Sequence, residues 1–213
     1  MHQDADNNIK LGQFCGALSH DAWLILNRIG REMPQIPQHG RIYWSTIPFE
    51  SSVSGYQTSD LILIQSGFGA LYADMGNGSD ICCSFIRPGS VIGSWYMFGN
   101  RQHPFSKHSY VEILQPMSGC IMPIKALEDA FHECPNLAKV IHESASRDTL
   151  DMVTHMTNMA TFDSVQKVRY LCQILHDNHI DLNLFTHETI AQILNLNRVT
   201  VTKALKIVLS EGF

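Results

Sequence analysis

The chain has 213 residues, enough for one large domain or two modest ones. Apolar residues make up 45% and charged residues only 16%, which excludes an intrinsically disordered chain. A formal charge of −5 excludes a generally basic nucleic-acid coat, yet it leaves room for a local basic face.

The opening MHQDADNNIK lacks the apolar core of a signal peptide, and no apolar run reaches bilayer-spanning length. A cytoplasmic protein without membrane contact is expected. Six cysteines (Cys15, Cys82, Cys83, Cys120, Cys134 and Cys172) form no CxxC pair and no disulfide-scaffold density. Residues 21–29 read as a short helix. From about 39 to 123 the pattern turns to β, with candidate strands at 41–44, 61–65, 69–74, 80–86, 91–95, 110–114 and 119–123. Gly67, Gly76-Asn77-Gly78 and Arg87-Pro88-Gly89 separate them as turn signals at the spacing of a sandwich or roll. No glycine-rich stretch leads into a helix, so these glycines serve turns and not a phosphate cradle.

After Pro135 the period changes to that of a helix. Ala138, His142, Ala145, Thr149, Met152, Met156 and Met159 recur in alternating steps of four and three, a heptad seam. A dimer seam through Ala145, Thr149, Met152, Met156 and Met159 is expected from it. A second stripe, Leu137, Val140, Ile141, Ser144 and Val153, can cover the β region. A helix apolar on two sides wants two partners. The competing reading, a core helix buried within a monomer, is opposed by the polar His142 and Thr149. Asp163-Ser164-Val165-Gln166 then reads as a capping box, which puts a domain boundary near 161–164. A helix over 164–175 and a polar loop over 176–183 follow.

The last stretch, THETIAQILNLNRVTVTKALKIVLSEGF, reads as two short helices around a tight connection. Thr186 caps the first, whose buried face is Ile190, Ala191 and Leu194. Asn195-Leu196-Asn197 makes the turn, with Leu196 buried and Asn197 capping the second helix. Val201, Ala204, Leu205 and Val208 fall at i, i+3, i+4 and i+7 and face the first helix. The opposite stripe is Val199, Thr202, Lys203 and Lys206, with Arg198 at the helix start. Those side chains contact base edges, thymine methyls and phosphates when a helix enters a major groove. The competing reading is an amphipathic hairpin with a solvated basic face, in which the lone Val199 has no purpose. DNA-contacting residues are therefore expected at Thr186, Asn197, Arg198, Val199, Thr200, Thr202, Lys203 and Lys206. Their partner would be double-stranded DNA with palindromic, A·T-rich half-sites.

This segment resembles the helix-turn-helix of the bacterial cyclic-AMP-receptor/fumarate–nitrate-regulator (Crp/Fnr) family, and a weaker similarity extends over most of the chain. The resemblance implies an α+β protein in three parts. A β jelly-roll sensor would occupy 1–134, a long dimerisation helix 135–162, and a winged-helix-like helix-turn-helix domain 163–213. It also implies a homodimeric, effector-responsive transcription regulator that works with RNA polymerase. Ile64-Gln65-Ser66-Gly67 and Pro88-Gly89-Ser90-Val91-Ile92-Gly93 stand where the family has its turn glycines.

The family's nucleotide site is only partly reproduced. Cyclic-nucleotide binders carry a Glu after the roll's Gly and an Arg-Ser pair further on; the matching positions here are Ser94 and Lys107-His108. The long-helix positions that would touch the purine are Met152 and Val153. A cyclic nucleotide is thus not expected. A pocket of Ser94, Trp95, Tyr96, Lys107, His108, Met152 and Val153 suits a planar anion such as a phenolate or aromatic acid. The competing reading is that the aromatics only fill the roll. Phe14-Cys15-Gly16-Ala17, with Ile92-Gly93 and Tyr96…Gly99-Asn100, resembles the branch that senses halogenated phenols, in which an N-terminal cysteine is redox-sensitive. Cys15 is otherwise an ordinary thiol. The closely spaced N-terminal cysteines of the iron–sulfur members are missing; the eleven histidines leave an axial haem ligand open, but no haem-attachment motif exists, and no cofactor is expected.

Two other classes remain. Ser106-x-His108-x₃-Glu112-x₆-Gly119 matches half of a cupin metal motif, but Ser stands where a His ligand is needed. Two ligands seldom hold a catalytic metal, so neither metal nor enzyme activity is expected. The chain given stops at Phe213, where the family continues into a β-hairpin wing. That leaves open an effector-binding module that has lost DNA binding.

Overall fold

A computed structural model describes residues 19–33, 35–44, 56–58, 60–74, 80–94 and 109–212. Helix α1 (His20–Ile29) opens it, with the Ser19 hydroxyl accepting from the Ala22 amide. The β region follows: β1 (Arg31–Glu32), β2 (Arg41–Trp44), β3 (Tyr56–Thr58), β4 (Leu61–Asp74), β5 (Asp80–Ile86), β6 (Val91–Ile92) and β7 (Ser109–Met122). Five strands run β3-β2-β7-β4-β5 across the sheet, while β1 joins β7 and β6 joins β4. Every pairing is antiparallel except β2 with β3.

Two expected strand breaks are absent. Residues 61–65 and 69–74 belong to one 14-residue strand, and 110–114 and 119–122 belong to another, with Pro123 at the N-cap of the next helix. Gly67 sits at an irregularity in the β4–β7 ladder, not at a chain reversal. Its φ of +93° and the 2.4 Å between a would-be Cβ and the Pro116 carbonyl oxygen require glycine there. The bulge lets the strand continue where the sequence reads as a turn. The strand expected over 91–95 narrows to Val91–Ile92.

Both faces of this sheet are covered, and strand alternation divides the side chains. Ile62, Ile64, Leu71, Cys83, Ile86, Ile92, Val111, Ile113 and Ile121 form an inner core. Leu61, Leu63, Cys120 and Met122 point the other way, against α1, α2 (Ile124–Glu133) and the start of α3 (Pro135–Thr161). Further along the strands Phe68, Ala70, Tyr72, Cys82, Phe85, Tyr110 and Leu114 form one continuous core with the C-terminal helices. Each large apolar side chain buried in this way contributes about 1.5–3 kcal/mol.

Helix α3 has 27 residues and is about 40 Å long. Proline at its first turn separates it from α2, and Phe162 ends it in extended backbone. Asp163 then closes a capping box with Gln166 and starts α4 (Ser164–Asp177). A 3₁₀ turn (Leu182–Leu184) leads to α5 (His187–Leu194) and α6 (Arg198–Ser210). No helix among the described residues is long and apolar enough to cross a membrane.

Candidate functional site

The α5–α6 hairpin is built by its caps. Thr186 Oγ1 accepts from the Thr189 amide at 3.1 Å, and Asn197 Oδ1 accepts from the Thr200 amide at 2.8 Å. Between them Asn195 takes the left-handed conformation at φ 49°, and the Leu196 amide returns to the Ala191 carbonyl at 2.9 Å. Asparagine is one of the few residues that tolerates this conformation. Ile190, Ala191 and Leu194 meet Val201, Ala204, Leu205 and Val208 in the buried interior. Leu196 is half-buried against the same core.

The outward face of α6 carries Arg198, Val199, Lys203 and Lys206, all exposed, with Thr200 and Thr202 half-exposed. Val199 is 64% exposed, an unusual position for a β-branched apolar side chain. Thr202 is less free than its place in the stripe implied. Its hydroxyl donates to the Arg198 carbonyl at 3.0 Å and lies 2.8 Å from His187 Nδ1. His187 is the residue that sequence reasoning missed on this face; the available signal was its place directly after the Thr186 cap. Glu211, an acid near the basic stripe, is held by Arg169 of α4.

Only part of the expected effector set falls among the described residues. Trp95, Tyr96, Lys107 and His108 lie outside the described residues, as does Cys15. Ser94 is buried just beyond Gly93, whose φ is +90°. Met152 is half-buried against the inner core of the sheet. Val153 is 56% exposed and does not cover the sheet among the described residues. One residue advances the helix by 100°, so Met152 and Val153 face different sides of α3 in the single chain.

The same rotation corrects the dimer seam. Ala145 is buried, Met152 meets the inner core, and Met159 packs against the C-terminal core. Thr149 and Met156 are exposed. The exposed row runs one position over, through Ser146, Leu150, Val153, Thr157 and Ala160, again in steps of four and three. Leu150 is its most exposed large apolar member, at 68%.

A polar contact unforeseen in the sequence joins α3 to the turn before β6. Asp148 accepts from the Ser90 hydroxyl at 3.1 Å and from the Val91 amide at 2.8 Å. One turn on, Asp151 pairs with Arg87. Burial pushes the Asp148 carboxyl up to about 6, against the pull of the Val91 and Ser90 hydrogen bonds and of Arg147. The legible signal was the i, i+3 spacing of two acids on one helix face. Glu112, the carboxylate of the half-cupin spacing, faces Arg41 at 3.7 Å.

No family model matches the chain, and no curated protein sequence matches it. Solved structures do share its architecture. The regulator CLP of Xanthomonas campestris, described as c-di-GMP-responsive, is 12% identical; the match covers 91% of this chain and 93% of that one, with a TM-score of 0.64. A Crp/Fnr-family transcriptional regulator from Eubacterium rectale is 15% identical over 92% of this chain and 85% of its own, also at 0.64. CprK, solved in complex with OCPA, is 16% identical over 90% of this chain and 84% of its own, at 0.55. The chain thus has the fold of Crp/Fnr-family transcription regulators.

Proposed function

We propose that the chain is a sequence-specific DNA-binding transcription regulator of the Crp/Fnr type. The observation that carries this reading is the outward face of α6, where Arg198, Val199, Lys203 and Lys206 are exposed on a helix whose other side is fully used in packing. Such a face fits a major groove, with cations for phosphates and guanine and a valine for thymine methyls. With few cations on that face, binding is modest, and it weakens as salt rises. The β region acts as sensor over 1–134, α3 links it across 135–162 to a DNA-binding unit over 163–213, and no catalytic step is required.

The protein acts as a homodimer. Its partner surface is the exposed face of α3, made by the row with Leu150 and Val153 and by the neighbouring Met156, and the two α6 helices then address a palindrome with A·T-rich half-sites. RNA polymerase is the downstream partner. The effector is a small molecule other than cyclic AMP. Ser94 and Lys107-His108 cannot supply the carboxylate acceptor for a ribose or the bidentate guanidinium for a cyclic phosphate. An aromatic anion needs only Lys107 and apolar walls, and two of the structures with this fold respond to or were solved with molecules other than cyclic AMP. On the long helix the effector would meet Met152, which packs toward the sheet, and Val153, which is exposed in the single chain.

Selection of bound sites from random DNA tests the core of the reading. An enriched inverted repeat supports it, and recovery of no sequence preference at low salt sinks it. For the effector, cyclic AMP should leave DNA affinity unchanged while a phenol or aryl acid raises it. Lys107→Met should abolish that response without altering the dimer.

A further inference from the structure

His155 lies on α3 where the sheet, the long helix and the C-terminal unit meet. It is 1% exposed, and neither ring nitrogen has a hydrogen-bond partner among the described residues. Its ring stands edge-on to Phe85 of β5, with centroids 5.2 Å apart, and 5.8 Å from Tyr170 of α4. Phe85 in turn stacks on Phe68, and Tyr170 meets Phe162 at the end of α3. A buried imidazole without partners costs the fold free energy that a phenyl ring at this place would not. The nest accepts it only while it is neutral.

We propose that His155 is a proton-operated bolt: neutral, it lets the C-terminal helical unit dock on the outer face of β4 and β5, and protonated, it releases that unit. The consequence for DNA binding rests on the function proposed above; the docking step does not.

The surroundings support this. Burial holds the docked imidazole down at about 4, and only the Cys82 carbonyl favours its charged form. The groups that face it are few. β5 brings the Cys82 thiol and α4 the Tyr170 phenol, both pushed up by burial and both neutral at moderate pH. The Arg87–Asp151 pair stands one turn back along α3, near Tyr170. Two turns back is Asp148, held up at about 6, and its protonation acts in the opposite sense. A released imidazole titrates at its ordinary value, 6.5. The released-to-docked ratio therefore rises about tenfold at pH 5.5 and scarcely at pH 7.5. Protons enter as a negative effector of docking with no change in any covalent bond.

Hydrogen exchange of the full chain at pH 7.5 and 5.5, corrected for intrinsic rates, reads this directly. Peptides from β5 and α4 should open about tenfold more often at the lower pH, and His155→Phe should remove that rise while keeping the contribution of Asp148. A rise of the same size in His155→Phe overturns the proposal. Long-range ¹H–¹⁵N spectra of the unmodified protein give a second reading should that variant fail to fold. A His155 ring still neutral at pH 5.5 in the docked protein supports the bolt, and titration at the ordinary value overturns it. A docking response in a protein that binds no DNA at any pH would confirm the bolt and sink the DNA reading.

Discussion

His187 Nδ1 lies 2.8 Å from the hydroxyl oxygen of Thr202, and so ties the start of α5 to the first turns of α6. With the Thr202 proton on the Arg198 carbonyl, the histidine donates to the hydroxyl oxygen from Nδ1. Its other nitrogen, Nε2, is then left as an acceptor for solvent or for a donor on a base edge. The link sets how α5 is held against the recognition face, because Arg198 and Thr202 both belong to that face.

From this follows a non-additive pair. Thr202→Val and His187→Ala each remove the same hydrogen bond, which contributes about 0.5–1.5 kcal/mol at such a site. Each should lower DNA affinity several-fold with little change in urea stability. The double variant should be no worse than the poorer single one. Simple additivity in a double-mutant cycle would show that the two residues do not act as a unit.

Val199 gives a prediction about specificity. Its exposure leaves no packing role, so Val199→Glu should fold as the parent does, within about 0.5 kcal/mol. At one position per half-site the preferred base should change from thymine by roughly 1–3 kcal/mol, since a carboxylate accepts from cytosine and repels the thymine edge. Sites selected by the two proteins would be compared, and an unchanged motif would remove Val199 from the interface.

How far the sequence could be read depended on whether the signal was local. The caps, turn and buried faces of the α5–α6 hairpin were legible because each determinant (Thr186, Asn195, Asn197 and the buried stripe of α6) acts within a few residues of itself; the His187–Thr202 contact was not. The long helix was legible as a helix but not in its rotation. Its two apolar rows are adjacent, and nothing in the spacing says which one meets the sheet. The structure places Met152 and Met159 inward and Leu150 and Val153 outward. The bulge at Gly67 and the bolt at His155 were not legible, because each depends on atoms distant in sequence. For Gly67 these are the Pro116 carbonyl, and for His155 they are Phe85 and Tyr170. The covering of Phe68, Tyr72 and Phe85 by the C-terminal helices is non-local in the same way.

That rotation can be tested on α3. Leu150→Glu sets like charges across the expected two-fold at a position already exposed in the single chain. It should sediment as a monomer of nearly unchanged stability and lose specific DNA affinity. Met152→Glu puts its charge against the inner core instead and should cost about 2 kcal/mol or more of stability. A dimeric Leu150→Glu protein would place the seam elsewhere on the helix.

The Asp148 clamp carries a pH signature of fixed sign. Its carboxyl titrates at about 6 in the fold against an ordinary 3.8, so the fold binds the proton more tightly than the unfolded chain does. The stabilisation this brings is complete below 3.8 and is lost as pH rises through about 6. At pH 7.5 the folded protein therefore holds a buried carboxylate at a cost on the order of 1–3 kcal/mol, partly offset within that figure by Ser90 and Val91. Asp148→Asn keeps an acceptor for the Val91 amide and a donor for the Ser90 hydroxyl without the charge. It should be more stable than the parent at pH 7.5, and the advantage should shrink steadily toward pH 5. Urea unfolding of both proteins at three pH values measures that difference and cancels the opposite contribution of His155, which both retain. An advantage that stays constant from pH 7.5 to pH 5 would mean that Asp148 is already ionised at little cost, and that the turn at Ser90 is held by geometry alone.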